Sequence, residues 1–248
     1  MKVEITIPSN LGDIKLWQYQ KYLKIAEDNE DGEFLKQKMI EIFCGVSLKN
    51  VAYMKRTDVE EICNHIGALF TDSYKLKQTF KFKGLKFGFI PNLDDMTNGE
   101  YVDLDTYITD WQEMHKACAV LFRPIIQELK DKYIIEEYKG SNKYSDEMKD
   151  LPLDIAFGAV VFFLGFRQRL IEQYDGLFGG TNGESNYSES AQFGNRWGWY
   201  SSIYALAQGD VRRFEDISKL NVHQCLTYLT FEKQKTSLEM KMINKQNK

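Results

Sequence analysis

A mainly α-helical fold (α+β) with a small antiparallel β-hairpin and a short N-terminal strand is what the sequence predicts, and three observations support it. Apolar residues recur at three- and four-residue spacing through most of the chain. Glycine, proline and capping side chains punctuate those runs at helix-like intervals. One segment, QTFKFKGLKFGFIP, switches to alternation about a glycine, the signature of a hairpin. With 248 residues, 43% hydrophobic and 27% charged, the chain holds enough apolar material for one large domain or two small lobes, and wholesale disorder is excluded. We expect a single mainly helical domain with sub-lobes over 1–75 (helical), 76–92 (β-hairpin), 93–175 (central helices), 176–195 (a flexible loop) and 196–248 (a C-terminal helical array).

Val3 to Ile7 alternates with a two-residue period and stops at Pro8, which predicts the N-terminal strand. Asp13 is placed to cap the helix that follows, where Leu16, Tyr19, Tyr22, Leu23 and Ala26 share a face. GEFLKQKMIEIFCG forms a second helix closing on Gly45, and a short third one starts at Ser47. Thr57-x-x-Glu60 is a capping box ahead of Val59, Ile62, Cys63, Ile66 and Phe70. In the hairpin, Phe80 and Phe82 alternate with Lys81 and Lys83, Gly84 marks the turn, and Phe87 and Phe89 alternate again before Pro91, which favours a ribbon with its aromatic side chains on the core and its lysines in water.

A second capping box, Thr97-x-x-Glu100, opens a helical pair or one kinked helix whose apolar residues Trp111, Met114, Cys118, Leu121 and Phe122 lead to Arg123-Pro124. Proline there ends or bends it. IIQELKDKYIIEEY then resumes helical spacing before a polar connector. Pro152 suits the first turn of the next helix, with Asp150 as its cap. From Ile155 to Phe166 that helix is apolar on nearly every side, so burial all round is expected. Its eleven most apolar residues, AFGAVVFFLGF, fall short of the roughly 20 that span a bilayer. Gly176 to Asn195 has glycine, serine and asparagine without a period, as in a flexible or functional loop. RWGWYSSIYALAQGD, FEDISKLN and a final run capped by Asn221 make up the helical array, and the tail beyond Lys233 fits either a helix or a strand.

The net charge of −4 excludes a general electrostatic footprint for nucleic acid or anionic lipid. MKVEITIPSN has no apolar run of signal-peptide length, and Cys44, Cys63, Cys118 and Cys225 lie far apart. We therefore expect a soluble intracellular chain with buried thiols. His65, His115 and His223 all lie in helical stretches and show no zinc-ligand spacing. Asp94, Asp95, Glu100, Asp103 and Asp105 are dense enough for a hard cation but do not match a calcium loop, and read as helix-capping charge. The Gly179 to Gly183 cluster lacks the lysine of a phosphate-binding loop. No enzyme, metal or cofactor is expected. Contact surfaces are expected at Lys81, Lys83, Lys86 and Phe87 of the hairpin and at Trp197, Trp199 and Tyr200, with Tyr204, after the long loop. Lys75 to Lys86 with the interleaved aromatics is also the composition of a nucleic-acid-binding ribbon, a reading disfavoured by the lack of neighbouring arginines or a recognised motif.

Two segments, IPNLDDMTNGEYVDLDTYITDWQEMHKACAVLFRPI and NRWGWYSSIYALAQGDVRRFEDISKLNVHQCLTYLTFEKQK, resemble parts of structural and assembly proteins of tailed bacteriophages, especially crAss-like phages. Together they cover about a third of the chain. The resemblance implies a virion structural protein of the neck or tail: a ring protein or head-tail connector that forms homo-oligomers and contacts other phage structural proteins, with no membrane partner. It implies residence in the virion, and in the host cytoplasm during assembly. A tail-assembly chaperone absent from the mature virion is the alternative within the family, and a nucleic-acid-binding protein using the hairpin is the alternative outside it. The resemblance includes no catalytic signature and transfers no residue roles.

Overall fold

The fold is that of a computed structural model, which describes residues 5–71, 74–130, 132–178 and 189–246, with backbone alone over 189–196. It is mainly α-helical with a small antiparallel sheet. In chain order the elements begin with helices α1 (Leu16–Glu27), α2 (Gly32–Cys44), α3 (Leu48–Val51) and α4 (Arg56–Leu69), and strands β1 (Thr79–Phe82) and β2 (Leu85–Phe89). Helices α5 (Asn98–Tyr107) and α6 (Met114–Leu121) lead into strands β3 (Phe122–Leu129) and β4 (Lys132–Ile135). Helices α7 (Ser145–Met148), α8 (Leu153–Gln173), α9 (Asp175–Phe178), α10 (Glu189–Leu206), α11 (Phe214–Lys219) and α12 (Val222–Gln246) complete the chain.

Several ends are set by local chemistry. Asp31 accepts from the Glu33 and Phe34 amides to start α2, and Gly45, with φ +69°, ends it. The capping box at Thr97 and Glu100 forms as expected: the Glu100 carboxylate accepts from the Thr97 amide at 2.7 Å, and the Thr97 hydroxyl accepts from the Glu100 amide at 3.2 Å. Asn221 accepts from the His223 amide at the start of α12, and the tail beyond Lys233 is helical.

Four expectations about local structure are corrected. Thr57 does not cap α4, which begins one residue earlier; Glu60 pairs instead with Arg56 at 3.0 Å. Asp13 closes a 3-10 turn by accepting from Ser9 and Asn10, and α1 starts only at Leu16. Asp150 does not cap α8, because its carboxylate is held by Lys83 at 2.8 Å and Lys15 at 3.3 Å. Ile5 to Ile7 forms no strand, since no neighbouring strand pairs with it; the Pro8 carbonyl lies 3.0 Å from His65 Nε2. Val3 and Glu4 lie outside the described residues.

The chain divides into two compact units that interleave in sequence: Met1–Pro91 with Tyr107–Phe162, and Asn92–Thr106 with Phe163–Lys248. The first holds the sheet, ordered β1-β2-β3-β4 and antiparallel throughout. The β1-β2 hairpin turns through Lys83 (φ +45°) and Gly84 (φ +83°), the two left-handed residues that a two-residue turn of this hand requires. The helix expected beyond Pro124 is instead β3 and β4. Ile125, Ile126, Tyr133, Ile134 and Ile135 are β-branched or aromatic, and β2 offers an edge on which Phe87 faces Pro124 and Phe89 faces Phe122. That ladder overrides the helical spacing.

Elsewhere in this unit Tyr19, Phe70, Trp111 and Phe157 pack with ring centroids 5.2 to 6.2 Å apart. Beside them the Gln20 amide nitrogen reaches the Trp111 carbonyl at 2.8 Å and His115 Nδ1 at 3.2 Å. Burial, and then the nearby Lys149, hold the His115 pKa below 6.5. A histidine depressed in this way contributes stability that is complete above 6.5 and is lost as pH falls through the lowered value. The thermal midpoint is therefore expected to drop on acidification below pH 6.5, and His115→Asn to flatten that part of the profile; parallel profiles for the two proteins would refute this.

In the second unit, the Asn98 amide donates to the Leu220 carbonyl and the Val222 amide to the Met96 carbonyl, which ties Asn92–Thr106 to the C-terminal helices. Leu206, Ala207, Ile217, Cys225 and Leu229 form a core flanked by Leu177, Ile203 and Phe214. Helix α8, expected to be buried on all sides, is not. Ile155, Ala156, Ala159, Val160, Phe163, Phe166 and Leu170 are buried at helical spacing, whereas Val161, Phe162 and Leu164 are exposed. Of the segment expected as a loop, Gly176–Phe178 belongs to α9 and Glu189–Asn195 to α10, while 179–188 lies outside the described residues.

Candidate protein-interaction surface

The C-terminal unit exposes a row of aromatic rings along α10. Trp197, Tyr200 and Tyr204 are 43%, 49% and 50% exposed; Tyr200 and Tyr204 lie one helical turn apart, and Trp197 stands before the break at Gly198. The Trp197 and Tyr200 rings are 5.6 Å apart, and Tyr200 packs edge-on against Phe214 at 5.5 Å. Val211, also exposed, adds apolar area after the C-terminus of α10. Asp210, Glu215 and Asp216 in the same stretch are balanced by Arg212, Arg213 and Lys219: the Arg212 guanidinium bridges Asp210 with two contacts of 2.9 Å, and Lys219 pairs with Glu215 at 2.7 Å. Large rings with little side-chain entropy to lose are the usual anchors of protein interfaces.

Trp199 does not belong to this row. The α10 backbone breaks at Gly198, whose φ of +40° and ψ of −122° interrupt the helix, and Trp199 is only partly exposed. Its indole N–H donates to Asp105 Oδ2 at 3.0 Å, and its ring meets Tyr101 edge-on at 5.4 Å. The other Asp105 oxygen accepts from Arg167 Nε at 2.5 Å. Sequence reading missed this carboxylate, because its partners lie 62 and 94 residues away. Asp105→Ala leaves an indole N–H and a guanidinium without their acceptor, so a loss of about 1–3 kcal/mol is expected. Urea unfolding followed by tryptophan fluorescence measures it, and an unchanged midpoint would exclude the role.

The hairpin contributes less surface than expected. Phe87 is 2% exposed and stacks on Phe80 at 5.8 Å; it is a core residue, and the expectation of a contact there is corrected. Side chains alternate across the ribbon, so Phe80 and Phe87 share one side while Lys81 and Lys86, paired across the strands, share the other. Lys86 is paired with Glu128, Lys83 with Asp150 and Lys77 with Asp154. Lys81 is exposed.

The acidic residues are distributed among separate partners. Asp95 accepts from the Asn92 side chain, Glu100 closes its capping box, and Asp94 Oδ1 lies 3.1 Å from His223 Nε2. The Tyr174 hydroxyl stands 3.0 Å from His223 Nδ1. Both imidazole nitrogens are thus engaged, which makes His223 a pin between Asp94, Tyr174 and α12. Among the described residues no three His, Cys, Asp or Glu side chains converge as metal ligands. Burial pushes the thiols of Cys44 and Cys225 up to about 11 and that of Cys118 to about 12, so each is protonated at neutral pH. No described helix is long and apolar enough to cross a membrane. Comparison with family models, curated proteins and solved structures found no match.

Proposed function

We propose that this chain is a bacteriophage virion structural protein of the neck or tail, which assembles with copies of itself and with other virion proteins into a ring-like layer. The observation behind the assembly part of this reading is the exposed row Trp197, Tyr200 and Tyr204, rings that a monomer leaves half in water. The phage part rests on the resemblance of the two segments that contain Asp94–Asp105 and Trp197–Tyr204. Mass spectrometry of purified particles tests it. The chain should be present at a fixed stoichiometry, and cryo-electron microscopy should find its aromatic row covered. Presence in infected cells with absence from mature particles would reject the virion role in favour of an assembly chaperone that leaves.

A further inference from the structure

We propose that β4 is a pairing edge: residues 132–136 of one copy add to the same segment of a second copy, antiparallel about a two-fold axis at Ile134, and join the two four-stranded sheets into one. The contact goes beyond the self-assembly read from α10, since it stands on the sheet and uses none of the aromatic row. β4 ends the order β1-β2-β3-β4, and among the described residues no strand pairs with its outer side. Natural sheets blunt such edges with proline, a bulge or a charge within the strand. The centre of β4 carries none of these: it is Tyr133-Ile134-Ile135, aromatic and β-branched, and Ile134 is 45% exposed.

The backbone limits the register. The Glu136 amide donates to the Pro124 carbonyl, so Glu136 bonds inward, and alternation turns the amides and carbonyls of Tyr133 and Ile135 outward. Two copies therefore meet with Tyr133 opposite Tyr133, Tyr133 opposite Ile135, or Ile135 opposite Ile135. Charge selects among these. The Tyr133–Ile135 register sets Lys132 opposite Glu136, and the two-fold makes that pair twice, with Ile134 facing Ile134 of the second copy between them. The first register sets Lys132 against Ile134 instead, and the third sets Glu136 there. Glu136 already accepts from the Tyr144 hydroxyl at 2.6 Å and pairs with Lys143, which positions its carboxylate; it can serve a second lysine as Asp150 serves Lys83 and Lys15. The other edge, β1, gives no such match. Gln78 bonds inward to the Phe89 amide, so Lys81 is an outward position and would face only Tyr133 or Ile135 of a β4 edge.

Analytical ultracentrifugation of the full chain tests this, and wild type should associate as its concentration rises. Lys132→Glu, at an exposed position, sets like charges opposite each other at both ends of the pairing and should weaken association at least ~10-fold. Glu136→Lys should do the same, and an equal mixture of the two variants restores opposite charges and should pair as tightly as wild type. Circular dichroism melts verify folding. Because Glu136→Lys also gives up Tyr144 and Lys143, a cross-link reads the contact without it. Ile134→Cys should form a disulfide-linked dimer under mild oxidation, since Cα atoms of a non-hydrogen-bonded pair lie about 4.5 Å apart, within disulfide reach. Leu129→Cys, similarly exposed but on β3, should not. An Ile134→Cys chain that forms no cross-link, or a wild-type association that Lys132→Glu leaves as tight, overturns the edge contact and leaves the α10 reading standing. A wild type that stays monomeric up to its solubility limit overturns the contact together with self-assembly.

Discussion

Phe122→Ala is expected to destabilise the first unit by about 3–5 kcal/mol, a large share of the roughly 5–15 kcal/mol that holds a typical domain together. Phe122 is fully buried, with Phe80 at 5.0 Å and Phe89 at 5.4 Å, both edge-on. It is also where the chain turns from α6 into β3, with extended backbone at φ −118° and ψ 126°. Truncation therefore opens a cavity at the point where helix and sheet meet, and neither can close over it without breaking the pairing of Phe89 with Phe122. Urea unfolding should show a lower midpoint with an unchanged slope. Phe122→Leu, which fills most of the space, should lose far less. Equal losses for the two substitutions would show that the ring contacts do not set the energy.

Gly158→Val is the second large effect, about 3 kcal/mol of destabilisation from overpacking, even though valine is the better helix former. A Cβ at position 158 of α8 would stand 2.5 Å from the Lys75 carbonyl oxygen and 2.9 Å from its carbon. Those are backbone atoms between α4 and β1, so the clash is not relieved by a side-chain rotation. Gly165 of the same helix supplies the contrast. A Cβ there meets nothing within 4 Å, so Gly165→Ala should stabilise by roughly 0.5–1 kcal/mol. Two glycines in one helix with opposite signs of substitution is an outcome that helix propensity alone cannot produce. Thermal melts of the two variants decide it.

The candidate surface was half legible. Crowding after a glycine-rich stretch marked Trp197, Tyr200 and Tyr204 as contact residues. Trp199 sits in the same cluster, yet the break at Gly198 and the distant Asp105 carboxylate turn it to a structural task. The hairpin was read correctly, with its aromatic side on the core and its lysines in water, and only the expectation of Phe87 as a contact residue failed. Phe122 and Tyr144 pack against Phe80 and Phe87, which leaves the lysine side outward. The tail beyond Lys233 fits strand and helix alike, and that its helix leaves Leu238 and Met242 exposed is not written in a local pattern.

What the sequence by itself determined about this protein was its local grammar. Asp31 and Gly45 bound α2, Thr97 and Glu100 box the start of α5, and Asn221 opens α12, because each involves hydrogen bonds or dihedral preferences that span only a few residues. The turn at Lys83-Gly84 belongs with them. Only the tertiary structure decided that Phe122–Leu129 and Lys132–Ile135 are strands, that Asp150 serves two lysines instead of a helix end, and that one side of α8 stays in water. In each of these the deciding partner lies far along the chain: the β2 edge, Lys15 and Lys83, and the set of elements that cover α8. A strand gains its hydrogen bonds, and a helix face its burial, from residues that local spacing does not specify.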